Sequence, residues 1–247
     1  MGSVYTSFIE KRLNAHSYRN IIYVLKNAKY ITSVGKLLQS CIKQITGFDS
    51  EVIPNCVDTD LFFYKPLKKR DFIEFITVAV LVEKKNHKML IRSFVKAFNR
   101  DPKYRLTILG EGPERSSLED EIKQHKIEHL VSLPGKATNI EVRNDLQNSD
   151  FFVLPSRFET FGVVALEALC CGLPILTTDC GGPADFIRPD IDGYIVPVCE
   201  DAFAEGLIML IQQKWDRLLI SDYFKNNFSV ITIAKRLANI YNGVLNN

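Results

Sequence analysis

Between residues 72 and 178, short apolar runs alternate with amphipathic stretches, and this alternation restricts the possible folds more than any other feature. The apolar runs are rich in β-branched and aromatic residues and end in turn-forming residues, so we predict strands at 72–82, 105–110, 130–135, 150–156 and 174–178. The stretches between them have helical periodicity and predict helices at 87–99, 113–126, 139–147 and 161–171. Strands separated by helices form a parallel sheet covered on both faces, so the predicted fold is α/β with a doubly wound, Rossmann-like sheet.

The segments on either side of this pattern do not complete a second sheet domain. Within residues 1–60, the sequence predicts helices at 8–27 and 35–46, short strands at 30–33 and 51–53, and a turn at 54–55. We interpret them as part of a larger domain. Residues 61–225 then form the predicted sheet domain, and two or three helices follow residue 200, the last of them within 226–247.

The charge balance excludes some classes of partner. With 31 Lys and Arg against 29 Asp and Glu, the net charge of +2 does not indicate nucleic acid or an anionic membrane surface as the main partner. The sequence has no apolar run of eighteen residues and its first residues do not resemble a signal peptide, so a cytoplasmic location is expected.

Metal binding is not expected. The six cysteines show no pair with a two-residue gap, so we interpret them as reduced apolar residues. His125 and His129 lie four residues apart on a predicted helix, a spacing that zinc ligands can have. No third ligand accompanies them, and we interpret both as surface residues.

Glu159 and Glu167 have seven residues between them, and Glu167 falls inside a predicted helix that is apolar on most sides. An unpaired buried carboxylate costs several kcal/mol, so Glu167 must reach water or have a partner. Taken alone, the pair is explained equally well by a structural role as by a binding role, because acids are favoured at helix starts and mid-helix glutamates often reach solvent. Ligands of open parallel sheets bind at the carboxyl ends of the strands, which here are the loops after Leu81, Leu109, Leu133 and Leu154.

Five motifs in order resemble glycosyltransferase family 4, the retaining enzymes of the GT-B fold. They are Ile53–Asp58, Val78–His87, Leu109–Glu114, Pro155–Gly162 with Glu167–Ala168, and Gly181–Pro183. The resemblance begins near residue 20 and covers mainly the C-terminal, nucleotide-sugar-binding half of that fold. It implies that residues 1–60 are a remnant of the N-terminal acceptor domain.

The resemblance also implies an activity. It is transfer of a sugar from a nucleotide diphosphate sugar, UDP- or GDP-linked, to a hydroxyl of a glycan or lipid-linked glycan, with retention and without a metal or other cofactor. Such enzymes serve polysaccharide biosynthesis, and some associate peripherally with membranes. The alternative is a catalytically impaired nucleotide-sugar-binding module, or a partner chain that lacks the acceptor domain.

Roles for individual residues follow from the resemblance. Glu159 is expected to contact donor-sugar hydroxyls, Glu167 the ribose hydroxyls and Lys85 the diphosphate, and Glu159 and Lys85 are the expected catalytic pair. The remaining expected substrate-binding residues are Thr160, Phe161, Gly162, Val163, Gly110, Gly112, Lys136, Ala137 and Arg157.

One departure from the family pattern concerns the diphosphate. Val80 stands where the family usually has an arginine that binds the phosphates together with the lysine matched by Lys85. Losing one charge-assisted contact is expected to lower donor affinity or rate by roughly tenfold to a hundredfold. Arg157 is a candidate substitute, although an exposed loop arginine without this role is an equally good interpretation.

Overall fold

A computed structural model describes residues 15–246 of the 247-residue chain. The chain forms two compact units, one made of the residues up to Pro54 with those from Ala234 onward, the other of Asn55–Ile233. The roles given to segments 1–60, 61–225 and 226–247 stay predictions.

The smaller unit contains a two-stranded parallel sheet. Its elements are α1 (Ala15–Asn27), β1 (Thr32–Ser33), α2 (Lys36–Thr46) and β2 (Glu51–Val52). Thr32 of β1 lies opposite Glu51 of β2. Residues 8–14 of the predicted first helix lie outside the described residues. The Arg236 guanidinium donates a hydrogen bond to the Val52 carbonyl at 2.7 Å, which ties the last helix to β2.

The larger unit is built on a six-stranded sheet. Its strands are β3 (Ile73–Val78), β4 (Tyr104–Leu109), β5 (Val131–Gly135), β6 (Phe151–Leu154), β7 (Ile175–Thr178) and β8 (Gly193–Val196). Every pairing is parallel and the strand order is β5-β4-β3-β6-β7-β8. The predicted doubly wound parallel sheet is therefore confirmed.

Helices connect the strands and finish the chain. They are α3 (His87–Phe98), α4 (Arg115–His125), α5 (Asn139–Gln147), α6 (Val163–Cys170), α7 (Glu200–Gln212), α8 (Arg217–Phe228) and α9 (Val230–Leu245). Short 3₁₀ helices occupy Glu83–Lys85 and Gly182–Asp185. The four helices predicted between strands and those predicted at the end of the chain are confirmed. No helix within the described part of the chain is long and apolar enough to cross a membrane.

Two predicted features differ from the structure. The strand predicted at 72–82 ends at Val78, because the Val82 amide turns back to the Val80 carbonyl at 2.9 Å and leaves the ladder. Strand β8 was not predicted.

The sheet carries helices on both faces. On one face, Phe75 of β3 is fully buried and stacks on Phe151 of β6 with ring centroids 5.3 Å apart. Phe94 of α3 meets the same Phe75 ring edge to face at 6.1 Å, and α3 packs on α7. Helix α6 packs against the other face, where Phe152 is fully buried, and α8 packs on α6.

The order of the strands reverses between β3 and β6. From β3 the chain proceeds outward through β4 and β5, then returns to β6 on the opposite side of β3 and proceeds through β7 and β8. At such a reversal the two adjacent connections leave in opposite directions and open a crevice at the carboxyl ends of the strands, where ligands of these folds bind. The loops that follow β3 and β6 therefore line the expected ligand site.

Candidate functional site

An ion pair joins the loops that follow β3 and β6. Lys85 lies at the end of the Glu83–Lys85 turn beyond β3, and Glu159 lies in the loop beyond β6. Their Nζ and Oε1 atoms are 2.5 Å apart, and the side chains are only 17% and 12% exposed. A pair shielded this well from water interacts more strongly than a surface pair. The two residues expected to be catalytic are thus brought together at the reversal of strand order.

The main chains of the two loops are also tied together. Asn86 adopts a left-handed conformation (φ 59°), and its Nδ2 donates to the Pro155 carbonyl at 3.2 Å. The Arg157 amide donates to the Lys84 carbonyl at 2.8 Å. Asparagine tolerates left-handed backbone better than most residues, so Asn86 both allows the turn and bonds across it. No local pattern in the sequence indicates this role.

Substituting Asn86 should separate its two contributions. Asn86→Gly keeps the backbone conformation but loses the amide hydrogen bond, so we expect a loss of roughly 1 kcal/mol in the free energy of unfolding. Asn86→Ala adds left-handed strain and should lose about 1 kcal/mol more. Urea unfolding measures both variants, and equal losses for Gly and Ala would contradict the backbone part of this explanation.

The Glu159 main chain is held by the loop beyond β7. Its amide donates to the Cys180 carbonyl at 2.7 Å, and its carbonyl accepts from the Gly182 amide at 3.0 Å. A Cβ atom on Gly182 would lie 2.3 Å from Cα of Phe161, so only glycine fits there. The Glu159 carboxylate also accepts from the Ser156 hydroxyl, Oγ to Oε1, at 2.7 Å.

Gly110 and Gly112 lie against the chain that follows β3. A Cβ atom would come within 1.9 Å of the Ala79 carbonyl oxygen at Gly110, and within 2.4 Å of the Leu81 carbonyl oxygen at Gly112. Side chains are therefore excluded, and these glycines fix the loop that leads to Lys85.

The residues around the start of α6 can offer mainly backbone groups. Phe161 is buried and packs on Phe186 with ring centroids 5.1 Å apart, so its side chain belongs to the core. Gly162 (φ 87°) precedes the helix, Thr160 is half-buried and Val163 is exposed. Free amides at a helix start suit an anion.

Glu167 has no protein partner in the described part of the chain: no hydrogen bond or ion pair reaches its carboxylate. It lies in α6 between fully buried neighbours, Leu166 and Ala168. Burial raises the pKa of the Glu167 carboxyl from 4.5 to about 7. Burying an ionisable carboxyl without a protein partner is unfavourable. Such a carboxyl is typical of a site where a ligand supplies the missing partner.

His87, the first residue of α3, is fully buried and neither ring nitrogen has a hydrogen-bond partner. Burial, and secondarily the charge of Lys85, lowers the pKa of His87 from 6.5 to about 4. The imidazole is therefore neutral near pH 7. No local pattern in the sequence indicates its burial.

Several predicted site residues do not join the Lys85–Glu159 pair. Arg157 is exposed and lines a cavity of about 430 Å³ together with Glu83, Asn86 and Glu114. Lys136 is exposed and Ala137 is half-buried in the loop after β5. Val80 is 60% exposed, so an arginine at this position would have room.

Of the two histidines predicted to share a helix, His129 is misplaced, although it is a surface residue as predicted. Helix α4 ends at His125, because Lys126 caps it in a left-handed conformation (φ 57°), so His129 lies beyond the helix. His125 instead lies 3.3 Å from Glu121 of its own helix, Nε2 to Oε1.

The doubly wound parallel sheet fits one half of the GT-B fold that the motifs predict. Comparison with known proteins agrees, since residues 58–227 match the family described as "Glycosyl transferases group 1". The chain belongs to this family.

Two curated relatives show how much of such a protein the chain covers. The phosphatidylinositol N-acetylglucosaminyltransferase gpi3 subunit of Schizosaccharomyces pombe is 27% identical over 198 residues, which are 78% of this chain and 43% of the relative. A human protein named for the same phosphatidylinositol N-acetylglucosaminyltransferase is 28% identical over 201 residues, 78% of this chain and 41% of the relative. The chain thus spans less than half the length of these relatives.

Solved structures share the fold. The lipopolysaccharide outer core galactosyltransferase WaaB in its apo form superposes with a TM-score of 0.78 at 23% identity, covering 93% of this chain and 65% of WaaB. Anabaena HepE in complex with UDP and glucose gives a TM-score of 0.80 at 17% identity, covering 95% of this chain and 69% of HepE.

Proposed function

We propose that this chain binds the donor in a glycosyl transfer from a nucleotide diphosphate sugar to a hydroxyl acceptor, with retention and without a metal or other cofactor. The observation that carries the proposal is the half-buried Lys85–Glu159 ion pair at the strand reversal of a family member. HepE, which shares the fold, was solved with UDP and glucose, and this supports a UDP-linked donor.

In this proposal, each site residue contacts a different part of the donor. Lys85 and the amides at the start of α6 bind the diphosphate and stabilise its charge as the bond to the sugar breaks. Glu159 accepts hydrogen bonds from sugar hydroxyls and tempers the positive charge that develops on the sugar ring. Glu167 accepts from the ribose hydroxyls, because a carboxylate can receive two donors at once.

The acceptor is proposed to be a glycan or lipid-linked glycan, used in polysaccharide biosynthesis in the cytoplasm. Two relatives are named for phosphatidylinositol and one fold neighbour for lipopolysaccharide, which supports a lipid-linked acceptor and peripheral contact with a membrane. Acceptor recognition is assigned to the region of the relatives that lies outside the match. These comparisons do not favour a non-catalytic binding module.

A thermal-shift panel tests the donor. UDP, GDP and ADP, each alone and linked to a sugar, are added to the protein. A ligand at a hundred times its dissociation constant stabilises by about 2.7 kcal/mol, which raises the melting temperature by roughly 5 to 10 °C. We expect this rise for UDP or GDP and their sugars, and hardly any for uridine or guanosine, which lack the diphosphate. A panel without any rise would contradict the proposal.

A further inference from the structure

We propose that Ser156 is a positioning residue for Glu159, and that it determines which carboxylate oxygen meets the donor sugar. The inference rests on the proposed function, because it specifies how Glu159 is presented to a sugar hydroxyl. Ser156 lies two residues beyond the end of β6 and three before Glu159, and the motif resemblance gives it no role.

Ser156 is itself held rigidly. It is fully buried, and its carbonyl accepts from the Thr178 hydroxyl at 2.5 Å. Thr178 is the last residue of β7 and is only 1% exposed. The Ser156 main chain is therefore anchored to the neighbouring strand, and its hydroxyl donates to Glu159.

Both protein contacts of the carboxylate fall on one oxygen. Oε1 accepts from the Ser156 hydroxyl at 2.7 Å and from the Lys85 ammonium at 2.5 Å. Among residues 15–246, no hydrogen bond reaches Oε2. The terminal torsion of a glutamate is broad and the two oxygens are chemically equivalent, so only fixed neighbours can distinguish them. Ser156 and Lys85 together occupy Oε1 and leave Oε2 for a ligand hydroxyl.

Removing the serine hydroxyl should weaken sugar recognition without changing diphosphate recognition. In Ser156→Ala, only the flexible Lys85 ammonium holds Glu159, and the carboxylate can turn both oxygens toward it. Because hydrogen bonds to charged groups are strong, we expect roughly a tenfold loss of affinity for the sugar conjugate and less than about a twofold change for the bare diphosphate.

Calorimetric titration measures this with UDP and UDP-glucose, and with GDP and GDP-mannose as a second pair. The readout is the ratio of the two dissociation constants within a pair, because a merely structural loss would weaken both ligands alike. Glu159→Gln is the positive control and should change the same ratio. Ser156→Thr, which restores a hydroxyl, should recover it. Should the threonine methyl prevent folding, the ratio in Ser156→Ala still decides.

Ser221→Ala is the matched control. Ser221 is a buried serine of the same unit whose hydroxyl donates to the Cys170 carbonyl at 2.5 Å, far along the chain from the ion pair. We expect its loss to lower the melting temperature and leave the ratio unchanged. A folded Ser156→Ala protein with the wild-type ratio would overturn the positioning role alone. Wild-type protein that binds neither pair of ligands would overturn the proposed function, and this inference with it.

Discussion

Lys85→Ala is expected to reduce the affinity for a nucleoside diphosphate by roughly tenfold to a hundredfold, the loss of one charge-assisted contact of about 1.5 to 3 kcal/mol. The geometry supports an effect at the upper end. Lys85 is only 17% exposed, so its charge is little screened by water, and Glu159 and the turn hold it at the strand reversal. Calorimetric titration with UDP and GDP measures the change.

Two further variants, at Lys84 and Val80, are the controls for this prediction. Lys84→Ala removes the neighbouring lysine, which is exposed, and should change the affinity little. Val80→Arg should act in the opposite direction and strengthen diphosphate binding by a similar factor, because Val80 is exposed and an added guanidinium can reach a phosphate. Binding of uridine or guanosine should not respond to any of the three changes. Equal losses for Lys84→Ala and Lys85→Ala would show that only net charge matters.

The second large effect concerns the pH dependence of stability. His87 and Glu167 change the free energy of unfolding with pH in opposite directions, so their contributions cancel in the wild-type protein. His87 has its pKa lowered from 6.5 to about 4, so its contribution to stability is complete above pH 6.5 and is lost as the pH falls toward 4. Glu167 has its pKa raised from 4.5 to about 7, so its contribution is complete below pH 4.5 and is lost as the pH rises toward 7. Since a tenfold change in proton affinity corresponds to about 1.4 kcal/mol, each group changes the free energy of unfolding by about 3 kcal/mol, in opposite directions.

Removing either group should reveal the other. Glu167→Gln should be more stable than wild type by roughly 2 to 3 kcal/mol at pH 8 and should lose stability steeply below pH 6.5. His87→Met places an apolar side chain of similar size in the same buried space and should gain stability, relative to wild type, as the pH falls. Urea unfolding at a series of pH values gives the free energy of unfolding of four proteins: wild type, the two single variants and the double variant. The double variant is the reference for all other titrating groups. A Glu167→Gln curve parallel to that of wild type would mean that the Glu167 carboxylate is ionised and hydrated.

Most of the sheet was predictable because five of its six strands have a local signal. The runs that became β3 to β7 are bounded by turn residues and separated by amphipathic helices, and the order of these signals decides the fold class. Strand β8 lacks such a signal, being four residues that begin at Gly193 and are half-buried beyond it. A Cβ atom on Gly193 would lie 1.8 Å from the Ile175 carbonyl oxygen, so this strand is defined by its close approach to β7 and not by its own sequence.

The contacts within the candidate site could not be predicted from the sequence. Lys85 and Glu159 were found through motifs, but their ion pair spans 74 positions and exists because β3 and β6 are neighbours at the strand reversal. The hydroxyl of Ser156 and the amide of Asn86 acquire their roles through burial and backbone conformation, which no local pattern encodes. The diphosphate role expected of Arg157 stays a prediction; the residue lines a cavity at the turn that carries Lys85, together with Glu83 and Asn86.

The two hydrogen bonds between the loop backbones have a mechanical consequence. Because Asn86 binds Pro155 and Arg157 binds Lys84, neither loop can open without breaking contacts of the other. Local opening of this region is then cooperative, a single event that takes Lys85 and Glu159 apart together and not one at a time. Such an opening therefore moves the backbones that carry the cation and the carboxylate in one step.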